Sequence, residues 1–370
     1  MMDYTHRFQR FLMRKLTRRA TLYTEMVTAN TIVHCKPQEL DRFLRSEPNF
    51  NPTVLQLGGA DPDTLNKAVT IALPYNFDAI NLNCGCPSDR VAGSGCFGAA
   101  LMRTPKLVAE CCGALAAGAQ YVPITVKIRI GVADSASEAI NADEDTLYDD
   151  LACFVDTVRQ SGVGHFAIHA RQAVLGGLSP AQNREIPPLR HAIVHRLASE
   201  FPDVSISLNG GIKDINGVNS ALSLHAENQG KHNRESLISG VMVGRAAVQR
   251  PWEWAVVDTD IYGERENPCP NRRCLLEEYA KYAESIEKSH PQRLRNLLLS
   301  PVVNLFAAEP RGKKFRAALD SLQSEDLCFS DHLMRAADTL LPETLDACPG
   351  SRWLQSERCY ATREELAPTD

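Results

Sequence analysis

Ser205-Ile206-Ser207-Leu208-Asn209-Gly210-Gly211 is a short apolar run that closes on a polar residue and two glycines. The same pattern recurs on both sides of it. Gly240–Val243 closes on Gly244-Arg245, His165–His169 on Ala170-Arg171, and Thr125–Ile128 on Arg129. Ala79–Leu82 runs into Asn83-Cys84-Gly85-Cys86, Val54–Leu57 into Gly58-Gly59, and Thr21–Met26 is the first of the set. Helical spacing fills the gaps, at Asp61–Leu73, Lys106–Ala117, Asp145–Ser161, Pro188–Glu200 and Asn216–Ala226. Strand–helix alternation means βαβ units and a parallel sheet, hence the α/β class. Seven strands is one short of a (β/α)8 TIM barrel. Barrels gather their chemistry at the C-terminal ends of the strands, where the polar and glycine residues fall here. A doubly wound open sheet is the alternative.

The composition sets limits. Of 370 residues, 44% are hydrophobic and 23% charged, which excludes wholesale disorder. No stretch of about 18 apolar residues offers a membrane span. Met1–Ala20 lacks the apolar run of a secretory signal. Phe8, Phe11, Leu12 and Leu16 sit there at helical spacing, so an amphipathic helix of the fold is expected, with a transit peptide as the alternative. The net charge of −5 argues against a nucleic-acid partner, but its distribution argues for one. Residues 288–316 hold seven Lys/Arg and one Glu, whereas residues 317–370 hold four Arg and eleven Asp/Glu. The twelve cysteines include no C-x-x-C pair, so no metal site is expected and a reducing interior is the natural setting.

After Asp260 the pattern changes. The expected organisation is a barrel over residues 1–262, a linker over 263–273 and a helical domain over 274–345. A tail over 346–370 follows, with no clear periodicity, for which disorder is one reading. The helical domain reads as Leu275–Ser289, Arg293–Phe306, Lys313–Leu322 and Ser330–Leu340.

Several residues can carry chemistry. Asn209-Gly210-Gly211 and Gly244-Arg245 follow the last two strands, where barrels build phosphate sites from backbone N–H groups. The alternative for each is a plain turn. Lys127 and His169 end two other strands, where a cation can offset charge on a reduced cofactor ring or a phosphate. A rim lysine and a wall-bonded histidine are the alternatives. Cys86 sits in a tight Gly/Pro turn that would expose a thiol able to give or take a proton. A small buried residue is its plainer reading. The glycine-rich loop Arg90–Ala99 brings a rival thiol, Cys96, which spacing alone does not exclude. Arg171, Arg184, Arg190 and Arg311-Gly312-Lys313-Lys314-Phe315-Arg316 are the basic candidates.

Taken together, these stretches resemble the tRNA-dihydrouridine synthases, and within them the subfamily acting at positions 20 and 20a of the D-loop. The resemblance rests on Leu55-Gln56-Leu57-Gly58-Gly59, Asn81-Leu82-Asn83-Cys84-Gly85-Cys86-Pro87-Ser88, Lys127-Ile128-Arg129-Ile130-Gly131, Asn183-Arg184-Glu185-Ile186-Pro187-Pro188-Leu189-Arg190, Leu208-Asn209-Gly210-Gly211 and Gly240-Val241-Met242-Val243-Gly244-Arg245. It implies an FMN-dependent barrel with a C-terminal helical domain, NADPH as reductant and tRNA as substrate. It assigns FMN contacts to Gln56, Lys127, His169, Asn209, Gly210, Gly211, Gly244 and Arg245, the general acid to Cys86, and tRNA contacts to Asn83 and Arg184. A monomer working in the cytoplasm is expected, with an organelle as the alternative if an N-terminal segment is missing. Family members open with a further strand before the motif matched by Met2-Asp3-Tyr4-Thr5, so the first barrel strand is expected to be missing here and FMN binding to be poor. Ser300-Pro301 stands where relatives carry an Arg-His step. The competing readings are an FMN-dependent reductase of a free pyrimidine and a non-catalytic RNA-binding remnant.

Overall fold

The computed structural model describes residues 1–47, 50–87, 97–223, 238–289, 294–321 and 327–351. Cys96 and most of the Arg90–Ala99 loop lie outside the described residues, as do Arg293 and the end of the tail. Contacts divide the chain into two units. The first holds Met1–Arg7 and Thr21–Gly244, and the second holds Phe8–Ala20 and Arg245–Asp370.

In the first unit the seven apolar runs form one parallel sheet. Its strands are β1 (Leu22–Thr28), β2 (Thr53–Gly58), β3 (Ala79–Cys84), β4 (Ile124–Arg129), β6 (His165–His169), β8 (Ser205–Asn209) and β9 (Gly240–Met242). Two short strands, β5 (Val132–Ala133) and β7 (Ala173–Val174), pair separately. The main sheet runs β1-β2-β3-β4-β6-β8-β9, so its strands lie side by side in chain order. A doubly wound sheet reverses its order partway across. This one never does, and the fold is TIM-barrel-like.

Side-chain alternation explains why the sheet forms. Leu55, Leu57, Ile80, Leu82, Val126, Ile128, Phe166, Ile168, Ile206 and Leu208 share one face and belong to a single buried apolar cluster with the surrounding helices. Helices Pro62–Ala72 and Pro105–Ala119 pack against each other, and each begins with proline. Proline suits that first turn because its missing N–H would have no helical partner there. Asp61 caps the first of them, accepting from the Thr64 N–H at 2.9 Å, and Asp143 caps helix Glu144–Arg159 by accepting from the Thr146 N–H at 2.9 Å.

In the second unit, helix Arg7–Leu16 stacks Phe11 on Tyr282, with ring centroids 3.7 Å apart. Tyr282 lies on helix Arg272–Ser289. Arg272 pairs with Glu309 at 2.6 Å, and both side chains are almost fully buried. The helix expected over Arg293–Phe306 is shorter, at Arg295–Leu299. Pro301 has no N–H to give the Leu297 carbonyl. The Ser300 hydroxyl donates to that carbonyl instead, at 2.9 Å.

Candidate active site

Alternate residues of β2, β3, β4, β6 and β8 face away from the apolar cluster, and most of these are polar. Strand register sets them in rows. Asn83 lies beside Lys127, and Lys127 beside Ala167. One step further along, Arg129 lies beside His169, His169 beside Asn209, and Asn209 beside Met242. The second row is at the C-terminal ends of the strands.

A chain of hydrogen bonds runs across this face. Gln56 Nε2 donates to Asn81 Oδ1 at 2.9 Å, Asn81 Nδ2 to Thr125 Oγ1 at 2.8 Å, and Asn83 Nδ2 to Gln56 Oε1 at 2.9 Å. The side-chain oxygen of Asn83 accepts from the backbone N–H groups of Gly85 and Cys86, at 3.1 and 3.0 Å. Asn83 thereby folds the turn that carries the half-buried Cys86. Gly85 sits tight against β4, where a Cβ would meet the Ile128 carbonyl carbon at 3.3 Å.

The site is strongly cationic. Burial and the neighbouring Arg129 pull Lys127 down to about 8. Burial also pulls Arg129 down to about 10, with Arg184 and Arg171 adding repulsion and Cys86 opposing it. His169 is held well below the usual histidine range by burial and by Arg129, Lys127, Arg171 and Arg184. It is neutral at pH 7, so its ring can accept as well as donate.

Beyond His169, Gly210 has φ of +107° and Gly211 +79°. A Cβ on Gly210 would lie 2.5 Å from His169 Cδ2. Only glycine permits both the conformation and the approach. His191 Nε2 meets the Gly210 carbonyl at 2.9 Å, and Asn209 Nδ2 donates to the Met242 carbonyl at 2.7 Å. Gly244 closes the first unit, and Arg245 opens helix Arg245–Gln249 in the second.

The arginines differ in employment. Arg190 grips carbonyls near the end of helix Ala136–Asn141, including Ala142 O at 2.9 Å, and Arg171 holds the Pro187 carbonyl. Arg184 ends the turn Gln182–Arg184, whose Asn183 is fully buried. Sequence reasoning gives no separate role to Arg129, to the side chain of Asn183 or to His191. The one available signal for Arg129 is its spacing of two from Lys127, which puts both on one strand face. Among the described residues no carboxylate bonds Lys127 or Arg129. A buried Arg129 and a half-buried Lys127 beside a glycine backbone cradle fit an anionic ring and a phosphate.

The sequence model of the family described as dihydrouridine synthase (Dus) matches residues 1–337. The tRNA-dihydrouridine(20/20a) synthase of Synechocystis sp. is 42% identical over 319 residues, covering 86% of each chain. That of Xanthomonas axonopodis pv. citri is also 42% identical over 319 residues, with the same coverage of both. That of Shewanella oneidensis is 38% identical over 322 residues, covering 86% of each. On this similarity over most of its length, the chain belongs to the dihydrouridine synthase family.

Proposed function

We propose that this chain reduces the C5=C6 bond of a uridine at position 20 or 20a of tRNA to 5,6-dihydrouridine, with FMN as resident cofactor and NADPH as reductant. The observation that carries the reading is the Cys86 turn, built by Asn83 on the strand beside the one that holds Lys127 and Arg129. When bound, reduced flavin supplies a hydride for C6 of the base. The Cys86 thiol gives a proton to C5 and regains one from solvent, so hydride and proton together complete the reduction. Lys127 offsets negative charge at the ring edge, and Gln56 and His169 orient it. The Asn209-Gly210-Gly211 backbone holds the phosphate, and the family resemblance adds Gly244 and Arg245 to that role. Asn83 and Arg184 meet the RNA.

The base must leave its stack to reach the thiol, so the RNA is held by shape and phosphates. In the second unit, Lys288 and Arg295 are paired with Glu284 and Glu287. Arg311, Lys313, Lys314 and Arg316 are exposed and form no ion pair among the described residues. They are suited to phosphate contacts. A Cys86→Ala variant tests the reading. It should bind tRNA within about threefold of the parent and lose dihydrouridine formation by about a hundredfold or more, read by position with mass spectrometry. Undiminished activity removes Cys86 as the acid.

A further inference from the structure

Arg129 is buried, at 4% exposure, and no carboxylate pairs with it among the described residues. Three hydrogen bonds tie it to backbone carbonyls. Nε donates to Gly85 O at 3.2 Å, and Nη1 donates to Gln172 O at 3.2 Å and to Asn183 O at 2.9 Å. Burying a cation without an anion is unfavourable, and a neutral side chain would fill the space without that penalty. What the guanidinium adds is a planar fork able to reach carbonyls on separate segments.

Those segments matter. Gly85 precedes Cys86. Asn183 precedes Arg184 and is itself pinned, because its Oδ1 accepts from Val174 N–H at 2.8 Å and its Nδ2 donates to Val174 O at 2.9 Å. In this way the side chain of Asn183 pairs with β7 as a neighbouring strand would. A continuous set of bonds therefore runs from the Cys86 turn through Arg129 to the base of Arg184.

We propose that Arg129 is a positioning residue that locks the Gly85–Cys86 turn and the Asn183–Arg184 loop into one mutual geometry. The proposal rests on the reading of Cys86 as proton donor and Arg184 as an RNA contact. Small displacements of a reacting group cost rate more than binding, so losing Arg129 should lower turnover and spare affinity.

The test uses full-chain holoenzyme carrying Arg129→Lys, with Asn183→Ala as a second variant that keeps the Asn183 carbonyl but releases its segment from Val174. Leu115→Ala, a core change in helix Pro105–Ala119, serves as a control for general destabilisation. Three quantities are read: single-turnover flavin oxidation by tRNA, tRNA affinity, and the iodoacetamide alkylation rate of the Cys86 peptide. Arg129→Lys should slow oxidation by about thirtyfold to a hundredfold, keep tRNA affinity within about threefold, and shift Cys86 alkylation by about fivefold or more. Asn183→Ala should give the same pattern at smaller size, and Leu115→Ala should leave alkylation unchanged. Unaltered oxidation and alkylation in Arg129→Lys overturn the proposal, as does an equal change in Leu115→Ala. Cys86→Ala run in parallel separates the two readings. If it stays active, the acid assignment fails; if it is dead while Arg129→Lys is normal, only the positioning role fails.

Discussion

Binding of FMN should weaken as pH rises past 8, and Lys127 sets the size of the effect. In the free protein its ammonium is lowered from 10.5 to about 8, chiefly by burial and then by Arg129. In the proposed complex the electron-rich carbonyl edge of the oxidised ring accepts a hydrogen bond from the ammonium, which favours the charged form and draws the value back up. At pH 7 Lys127 is charged in both states. At pH 9 about nine-tenths of free molecules have lost the proton, whereas the complex keeps it, so affinity should fall about tenfold between pH 7 and pH 9. For stability of the free chain the sign is opposite. The unfolded chain holds this proton up to the ordinary lysine range, so the contribution of Lys127 to folding stability rises with pH from about 8 upward. FMN fluorescence titrations at half-unit steps read the binding effect. A Cys86→Ser background keeps the thiol out of the comparison. Lys127→Met should bind more weakly at pH 7 and show no slope. A flat profile in the parent, or the same slope in Lys127→Met, refutes the reasoning.

Gly210→Ala would place a methyl 2.5 Å from His169 Cδ2 at a φ that costs an L-residue about 1–3 kcal/mol. FMN affinity should drop by about tenfold or more in the same titration, and an unchanged value counts against the cradle. In the second unit, Glu309→Gln leaves Arg272 buried without its anion. Urea unfolding should show a loss of about 3–5 kcal/mol, and a loss under about 1 kcal/mol would mean the pair is not what holds that region.

The strands are legible because each is a short apolar run closed by a polar or glycine residue, and a parallel sheet needs little else to declare itself. Strands β5 and β7, two residues each, carry no period to detect. The helix break after Leu299 is readable at Pro301, but the helical spacing of Leu294, Leu298 and Leu305 hides it. At the site, residue types at strand ends single out His169 and Asn209-Gly210-Gly211 as candidates, whereas Lys127 lies one row inside the end of β4. The employment of Arg129 and Asn183 is not legible, because their partners are backbone N–H and C=O groups, which any residue supplies.

The linked amides of Gln56, Asn81 and Asn83 have a consequence for how such a site can change over generations. Each satisfies its neighbour, so replacing one strands another in the interior. Drift at these three positions is therefore concerted: a lineage must exchange them together or leave them alone, while the greasy residues between them are free to vary in shape one at a time.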